Sequence, residues 1–214
     1  MQIIDFILHI DVHLGQIIQN FGSLSYAILF FIVFAETGFV LTPFLPGDSL
    51  LFAGGMFAAL GSLKIGILFF AIWIASFLGD NMNYWVGHYF GEKIVNNHRI
   101  PIKQSHIDTT DAFFKKHGKK AIFFARFMPI IRTFAPFVAG VGKMPYRKFV
   151  FSSFLGGFTW VSLFVFAGYF FGNVPVVKHN FSLVVMGIVV LSLIPAAIKF
   201  FKGRFPKKRS VSQV

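Results

Sequence analysis

The chain has 214 residues, 56 % of them hydrophobic, and a mean hydropathy of +0.71. Only 13 % are charged, about half the share of an ordinary soluble domain, which excludes a soluble fold and makes this an integral membrane protein. The net charge of +12 does not signal nucleic acid, because Lys and Arg gather in hydrophilic blocks beside apolar runs, and the lack of cysteine excludes disulfides and thiolate chemistry.

In chain order, residues 1–22 place Ile3, Phe6, Ile7, Ile10, Leu14, Ile17 and Ile18 at helical spacing opposite Asp5, Asp11 and Gln16. That pattern predicts an amphipathic helix lying in the membrane interface. The segment has no basic n-region, so it does not read as a cleavable signal peptide. Residues 24–60 are apolar but interrupted by Glu36, Pro43, Pro46, Gly47, Asp48 and a Gly54-Gly55 pair. Each half falls short of the roughly 20 residues a crossing helix needs, which predicts a re-entrant hairpin. Residues 65–91 are long enough to cross, and end in a polar run that includes Asp80, Asn83 and Tyr84.

Residues 92–120 hold seven Lys and Arg against three acids and predict a cytoplasmic amphipathic segment. Residues 121–142 are apolar and broken again, by Arg126, Pro129, Arg132 and Pro136. Residues 149–172 and 181–201 read as spans, and 202–214 as a basic cytoplasmic tail. With both basic blocks and Lys143, Arg147 and Lys148 inside, the count closes if 121–142 is re-entrant from the cytoplasm and 24–60 from outside. A competing topology has 24–42 spanning.

The predicted fold is therefore all-α, a single membrane domain over 1–214. It is an inverted repeat of a re-entrant hairpin followed by a transmembrane helix, flanked by an amphipathic N-terminal helix and a C-terminal span. "FAE" at 34–36 and "VGHYFG" at 86–91 are echoed by "FAR" at 124–126 and "AGYFFG" at 167–172. Broken helices in inverted repeats are a transporter signature. The glycine pairs Gly87/Gly91 and Gly168/Gly172 read as close helix packing rather than as a site.

Glu36, Asp48, Arg126 and Arg132 lie inside apolar sequence. Each would cost about 2.5–3.5 kcal/mol at the bilayer centre without a partner. One reading is two structural ion pairs, one acid per arginine. Ion pairs are a poor source of stability, however, so the functional reading is a substrate and coupling site. Arg126 and Arg132 offer planar donor forks suited to phosphate. Glu36 and Asp48 are suited to carry protons and to release a paired arginine when protonated. Pro43, Pro46, Gly47, Pro129 and Pro136 would shape the hairpin tips. Asp80, Asn83 and Tyr84 are either a solvated helix end or extra lining of the same cavity. His9 and His13 are one turn apart with no third ligand, so neither a metal nor a cofactor is expected. No nucleotide loop and no nucleophile–base pair is present, so no enzyme is expected.

The segments "FAETGFVLTPFLPGDSLLFAGG", "GDNMNYWVGHYFGEK" and "ARFMPIIRTFAPFVAGVGKMPYRKF" resemble the DedA family, of the VTT-domain superfamily. The family's acid before P-x-x-P-G-D/E is matched by Glu36 and by Pro43, Pro46, Gly47 and Asp48. Its F-x-R-x-x-P-x-x-R is matched by Phe124, Arg126, Pro129 and Arg132. The resemblance implies a bacterial inner-membrane protein with two oppositely oriented hairpins, in which the two acids and two arginines matter for activity. It also implies transport of an anionic lipid phosphate such as undecaprenyl phosphate, with protons and membrane lipids as partners. A proton-coupled antiporter of small cations or drugs is the alternative, and a non-transporting clamp is a third class. Substrate, stoichiometry and any homo-oligomeric state do not follow from the motif.

Overall fold

A computed structural model of the chain describes residues 10–39, 47–95, 114, 120–172, 174–175 and 187. The expected hairpin tip at Pro43 and Pro46, most of the basic segment, the 181–201 span apart from residue 187, and the tail lie outside the described residues.

All the described elements are helical: α1 (Ile10–Phe21), a 3-10 turn (Gly22–Leu24), α2 (Ser25–Gly38), α3 (Gly47–Ala59), α4 (Ile65–Val95), α5 (Ala121–Ala125), α6 (Pro129–Val141) and α7 (Tyr146–Phe171). Among the described residues three helical runs are long and apolar enough to cross a membrane: His13–Gly38, Ile65–Gly91 and Tyr146–Phe171. The first is not straight. Gly22 has φ +52, and the Ser25 hydroxyl donates to the Ile17 carbonyl at 3.3 Å. A continuous helix would hold those residues about 12 Å apart, so the chain folds back and α1 becomes a separate helix. α1 buries Leu14 and Ile18, spaced i, i+4, and exposes Gln16, Gln19 and Asn20. Leu14 and Ile18 belong to the apolar stripe read from the sequence and Gln16 to its polar face, while residues 1–9 of the expected helix lie outside the described residues.

α3 is buried on nearly every side, from Gly47 through Met56. A helix apolar all round has no preferred outer face, so it sits in the middle of the bundle. α4 has 31 residues, about 46 Å at helical rise and ample to span. It runs four residues past the expected end at 91. α7 begins at Tyr146 rather than 149, because Pro145 supplies a preset start and its carbonyl accepts from the Lys148 N–H at 2.9 Å. Arg147 and Lys148 therefore occupy the first helical turn, exposed, and not a loop.

Two seams hold the bundle, and they are reciprocal. α3 packs on α7, where a Cβ at Gly168 would lie 2.0 Å from the Phe52 carbonyl oxygen and one at Gly55 2.1 Å from that of Val165. α6 packs on α4, where a Cβ at Gly87 would lie 2.2 Å from the Phe137 carbonyl oxygen and one at Gly140 2.1 Å from that of Tyr84. Gly172 abuts Met56 as Gly91 abuts Val141. Only glycine admits backbone this close, so the glycine pairs are packing surfaces, as expected. Phe52 and Gly55 correspond to Phe137 and Gly140, 85 residues on, while Gly87 and Gly91 correspond to Gly168 and Gly172, 81 residues on. The first arms pack differently, α2 on α4 and α5 on α7. At the base of the first pair, the Lys64 N–H donates to the Tyr26 hydroxyl at 2.6 Å.

Candidate functional site

The charged residues meet where the short helices end. Glu36 is in the last turn of α2, and Asp48 is in the first turn of α3. Asp48 suits that position, because a helix N-terminus favours negative charge. Arg126 directly follows α5, in a three-residue break that Pro129 closes by opening α6. Arg132 lies one turn into α6, its N–H donating to the Met128 carbonyl at 2.8 Å. The break lets two arginines six residues apart approach one region, which a straight helix would not allow.

Arg132 takes two acids. Its Nη1 donates to Asp48 Oδ1 at 2.6 Å, and its Nη2 donates to Glu36 Oε1. Glu36, Asp48 and Arg132 are 1 %, 8 % and 8 % exposed, so the pair charges are almost wholly out of solvent. Arg126 takes a different acid, Asp80. Its Nη1 donates to Oδ1 at 3.0 Å, its Nη2 lies 2.8 Å from Oδ2, and that same Nη2 donates to the Ser76 hydroxyl at 2.6 Å. The Ser153 hydroxyl donates to Asp80 Oδ2 at 2.5 Å. The pairing of one acid per arginine, drawn only from Glu36 and Asp48, is thus corrected to two acids on Arg132 and Asp80 on Arg126.

One indole joins the two halves. The guanidinium carbons of Arg126 and Arg132 lie 5.6 and 5.3 Å from the Trp160 ring centroid, within cation–π range. The Trp160 Nε1–H donates to Asp48 Oδ1 at 2.9 Å. Trp160, Ser76 and Ser153 went unremarked in the sequence. A tryptophan or serine inside an apolar span carries no charge cost, so it gives no pattern to read.

The remaining expected residues separate into two groups. Asp80 is buried, not a solvated helix end, because α6 and α7 close over that part of α4. Asn83 is fully buried, and its Nδ2 donates to the main-chain carbonyls of Thr133 at 2.8 Å and Thr37 at 3.4 Å, tying α2, α4 and α6 together. Tyr84 points away from the arginines. Its hydroxyl donates to the Met144 carbonyl at 2.5 Å and its ring stacks on Phe149. Gly47 is the first residue of α3, and a Cβ there would lie 2.0 Å from Glu36 Oε2. Its glycine is needed for the close approach of the acid. Pro136 does not shape a tip: it sits inside α6, where it offers no N–H to the Arg132 carbonyl four residues back.

Among the described residues no group of three or more His, Cys, Asp or Glu side chains is placed to hold a metal. The arrangement offers two donor forks for an anion and three carboxylates that hold them. When all five groups are ionised the cluster carries one surplus negative charge, and buried Glu36 Oε2 has no hydrogen-bond partner among the described residues.

The family model of the VTT domain matches residues 45–170, a stretch that includes Asp48, Asp80, both arginines and Trp160. The chain is 49 % identical over 205 residues to the protein DedA of Escherichia coli, covering 94 % of each. It is 39 % identical over 181 residues to an uncharacterised membrane protein of Mycobacterium leprae, covering 84 % of this chain and 81 % of the relative. It is 30 % identical over 172 residues to the inner membrane protein YghB of Escherichia coli, covering 80 % and 78 %. No solved structure matches. With the motif, the helical membrane fold and these relatives in agreement, the chain belongs to the DedA family of VTT-domain membrane proteins.

Proposed function

We propose that the protein is a translocase, not an enzyme, that carries undecaprenyl phosphate or a related anionic lipid across a bacterial inner membrane, coupled to protons. Arg126 and Arg132 take the phosphate. Glu36 and Asp48 take the proton, with Asp80 as a third acid in the set. The observation that carries this reading is the buried cluster itself: two guanidiniums over one indole, held by three carboxylates. An anion cannot displace ionised carboxylates from a site that already has a negative surplus. Protonating one acid removes the surplus and frees donors of its arginine, so proton uptake and anion binding are linked by charge count. Breaking a buried pair without such a substitute would leave an uncompensated charge at a cost of about 3–5 kcal/mol.

The finer topology belongs to the same reading: two re-entrant hairpins in opposite senses, the tail cytoplasmic. It is supported by the reciprocal glycine seams and by the Tyr26–Lys64 contact, which joins the start of α2 to the start of α4. That contact fits α2 and α3 entering and leaving on one face. The supporting relatives are named only as membrane proteins; the arginines argue for a phosphate or carboxylate group, and the lipid is what the family resemblance implies.

The test is a reconstituted vesicle assay with labelled polyprenyl phosphate. Wild-type protein is expected to move the lipid and to take up protons as it does, while Arg126→Ala and Arg132→Ala abolish both. Folded variants that move lipid phosphate at the wild-type rate would sink the reading. The carboxylate surplus and the unpartnered Glu36 oxygen favour one second reading, a proton–cation antiporter in which the acids bind substrate. It predicts cation flux that competes with protons and ignores added lipid phosphate.

A further inference from the structure

We propose that the hydrocarbon chain of the lipid lies on an aromatic strip formed by α4 and α7, and that its phosphate reaches Arg126 past Trp73 and Gly157. The inference rests on the lipid-phosphate reading and adds a subsite for the chain and the side from which the lipid enters.

The strip lies on the outside of the bundle. Trp73 of α4 packs on Phe154 and Phe158 of α7, with ring centroids 4.5 and 5.2 Å apart. Phe69 of α4 lies 5.4 Å from Phe158 and 5.7 Å from Phe166. Phe70, Phe154, Phe158 and Phe166 are exposed, at 55 %, 42 %, 44 % and 39 %. Aromatic rings on a membrane protein normally face lipid, so exposure alone assigns nothing. What sets this strip apart is its distance from a buried charge. A Cβ at Gly157 would lie 3.2 Å from Arg126 Nη2, 3.6 Å from Ser76 Oγ and 3.6 Å from Trp73 Cδ1. The Arg126 guanidinium, Ser76 and the Trp73 ring thus all adjoin Gly157, whose lack of a side chain leaves them close together.

That indole is held mainly by ring contacts with Phe69, Phe70, Phe154 and Phe158. Trp73 Nε1 donates to the Phe154 carbonyl at 3.3 Å in an exposed position, longer than the usual N–H···O distance. A rotation of its side chain would open a path to Arg126. Among the described residues the Arg132 guanidinium contacts Glu36, Asp48 and Trp160 and adjoins no such strip. The first contact of an incoming phosphate is therefore with Arg126 and Ser76. In a bilayer the chain gains little from leaving other acyl chains, so packing on the rings gives position rather than affinity. The charge-assisted contact supplies the affinity.

Photo-crosslinking of the full-length protein in zwitterionic nanodiscs tests this. p-Benzoylphenylalanine replaces Phe158 in one sample and Phe31 in the other. Phe31 is an exposed aromatic of α2, 64 % accessible. The probes are a radiolabelled long-chain polyprenyl phosphate and the polyprenol of the same length. Retention of each probe on the wild-type protein is measured alongside. The phosphate is expected to label position 158 about tenfold more than 31, the worth of one charge-assisted contact. The polyprenol should show no preference, and this arm needs no change at the buried site. Retained phosphate with equal labelling at both positions would overturn the strip while leaving the lipid-phosphate reading intact. Equal preference from the polyprenol would also overturn it, since the headgroup would then not direct the chain. If the phosphate is not retained at all, the functional reading fails and takes this inference with it.

Discussion

The two arginines lie over the same indole and are held in opposite styles. Arg132 is gripped by two carboxylates, one from α2 and one from α3, with the Trp160 N–H closing on one of them. Arg126 has one carboxylate and a serine hydroxyl, and its acid is itself capped by Ser153. The scaffold around them repeats, glycine for glycine, yet the charges do not: acids end one broken segment and arginines fill the other. Matched glycine seams thus flank an asymmetric site. The asymmetry is one of grip: two carboxylates on Arg132 against one on Arg126.

The largest effect that could break this comparison is on stability. Arg132→Ala leaves Glu36 and Asp48 buried side by side without a cation, and is expected to cost about 3–5 kcal/mol. Arg126→Ala leaves a single acid that keeps the Ser153 hydroxyl, so its loss should be clearly smaller. Thermal unfolding of both variants in detergent measures the difference. Adding Glu36→Gln and Asp48→Asn to Arg132→Ala should recover much of the loss, because the unpaired charges are gone, without restoring transport. Equal destabilisation by the two single variants would show that the two sites are energetically alike and that the asymmetry is only geometric.

A smaller effect sharpens the role of the shared ring. Trp160→Phe keeps an aromatic face for both guanidiniums but removes the N–H that Asp48 accepts. The expected loss is about 1.5 kcal/mol, the low end for a hydrogen bond to a charged group. Since only the Asp48 side loses a contact, combining Trp160→Phe with Asp48→Asn should be less than additive, whereas combining it with Asp80→Asn should be additive. A double-mutant cycle by chemical denaturation reads both. Coupling of the same size to Asp80 would mean the indole links the two halves as one unit.

Much of this site was legible because charge in apolar sequence is expensive. Glu36, Asp48, Arg126 and Arg132 had to find partners, and the helix breaks near them marked where. Which acid meets which arginine was not legible. Asp48 and Arg132 are 84 residues apart in sequence and Glu36 and Arg132 are 96, and their register is set by glycine seams whose spacing gives no partner. Asp80 illustrates the limit. It sits at the edge of a polar run, and an outward face and a buried one look the same until α6 and α7 are packed on it. The fold's helix breaks were legible for the same reason as the charges. Pro129 marks a helix start by its fixed φ, but Pro136 only removes one hydrogen bond and α6 runs through it.

The smallest prediction concerns a residue that adjoins the site in sequence and not in space. Tyr84 follows Asn83, but one step along a helix turns the side chain by about 100°, from the α2 and α6 main chain to the loop before α7. Tyr84→Phe keeps the stacking on Phe149 and removes the hydroxyl bonded to the Met144 carbonyl. The expected cost is about 0.5–1.5 kcal/mol, one neutral hydrogen bond, with lipid transport at the wild-type rate once the protein is folded. Asn83→Ala is the sharper contrast, since it leaves the buried carbonyls of Thr37 and Thr133 without that donor, next to Glu36 and Arg132 in the chain. It should lower both stability and transport. If Tyr84→Phe instead slows transport with stability unchanged, the functional cavity extends along α4 beyond Asp80, and the boundary drawn between site and scaffold lies in the wrong place.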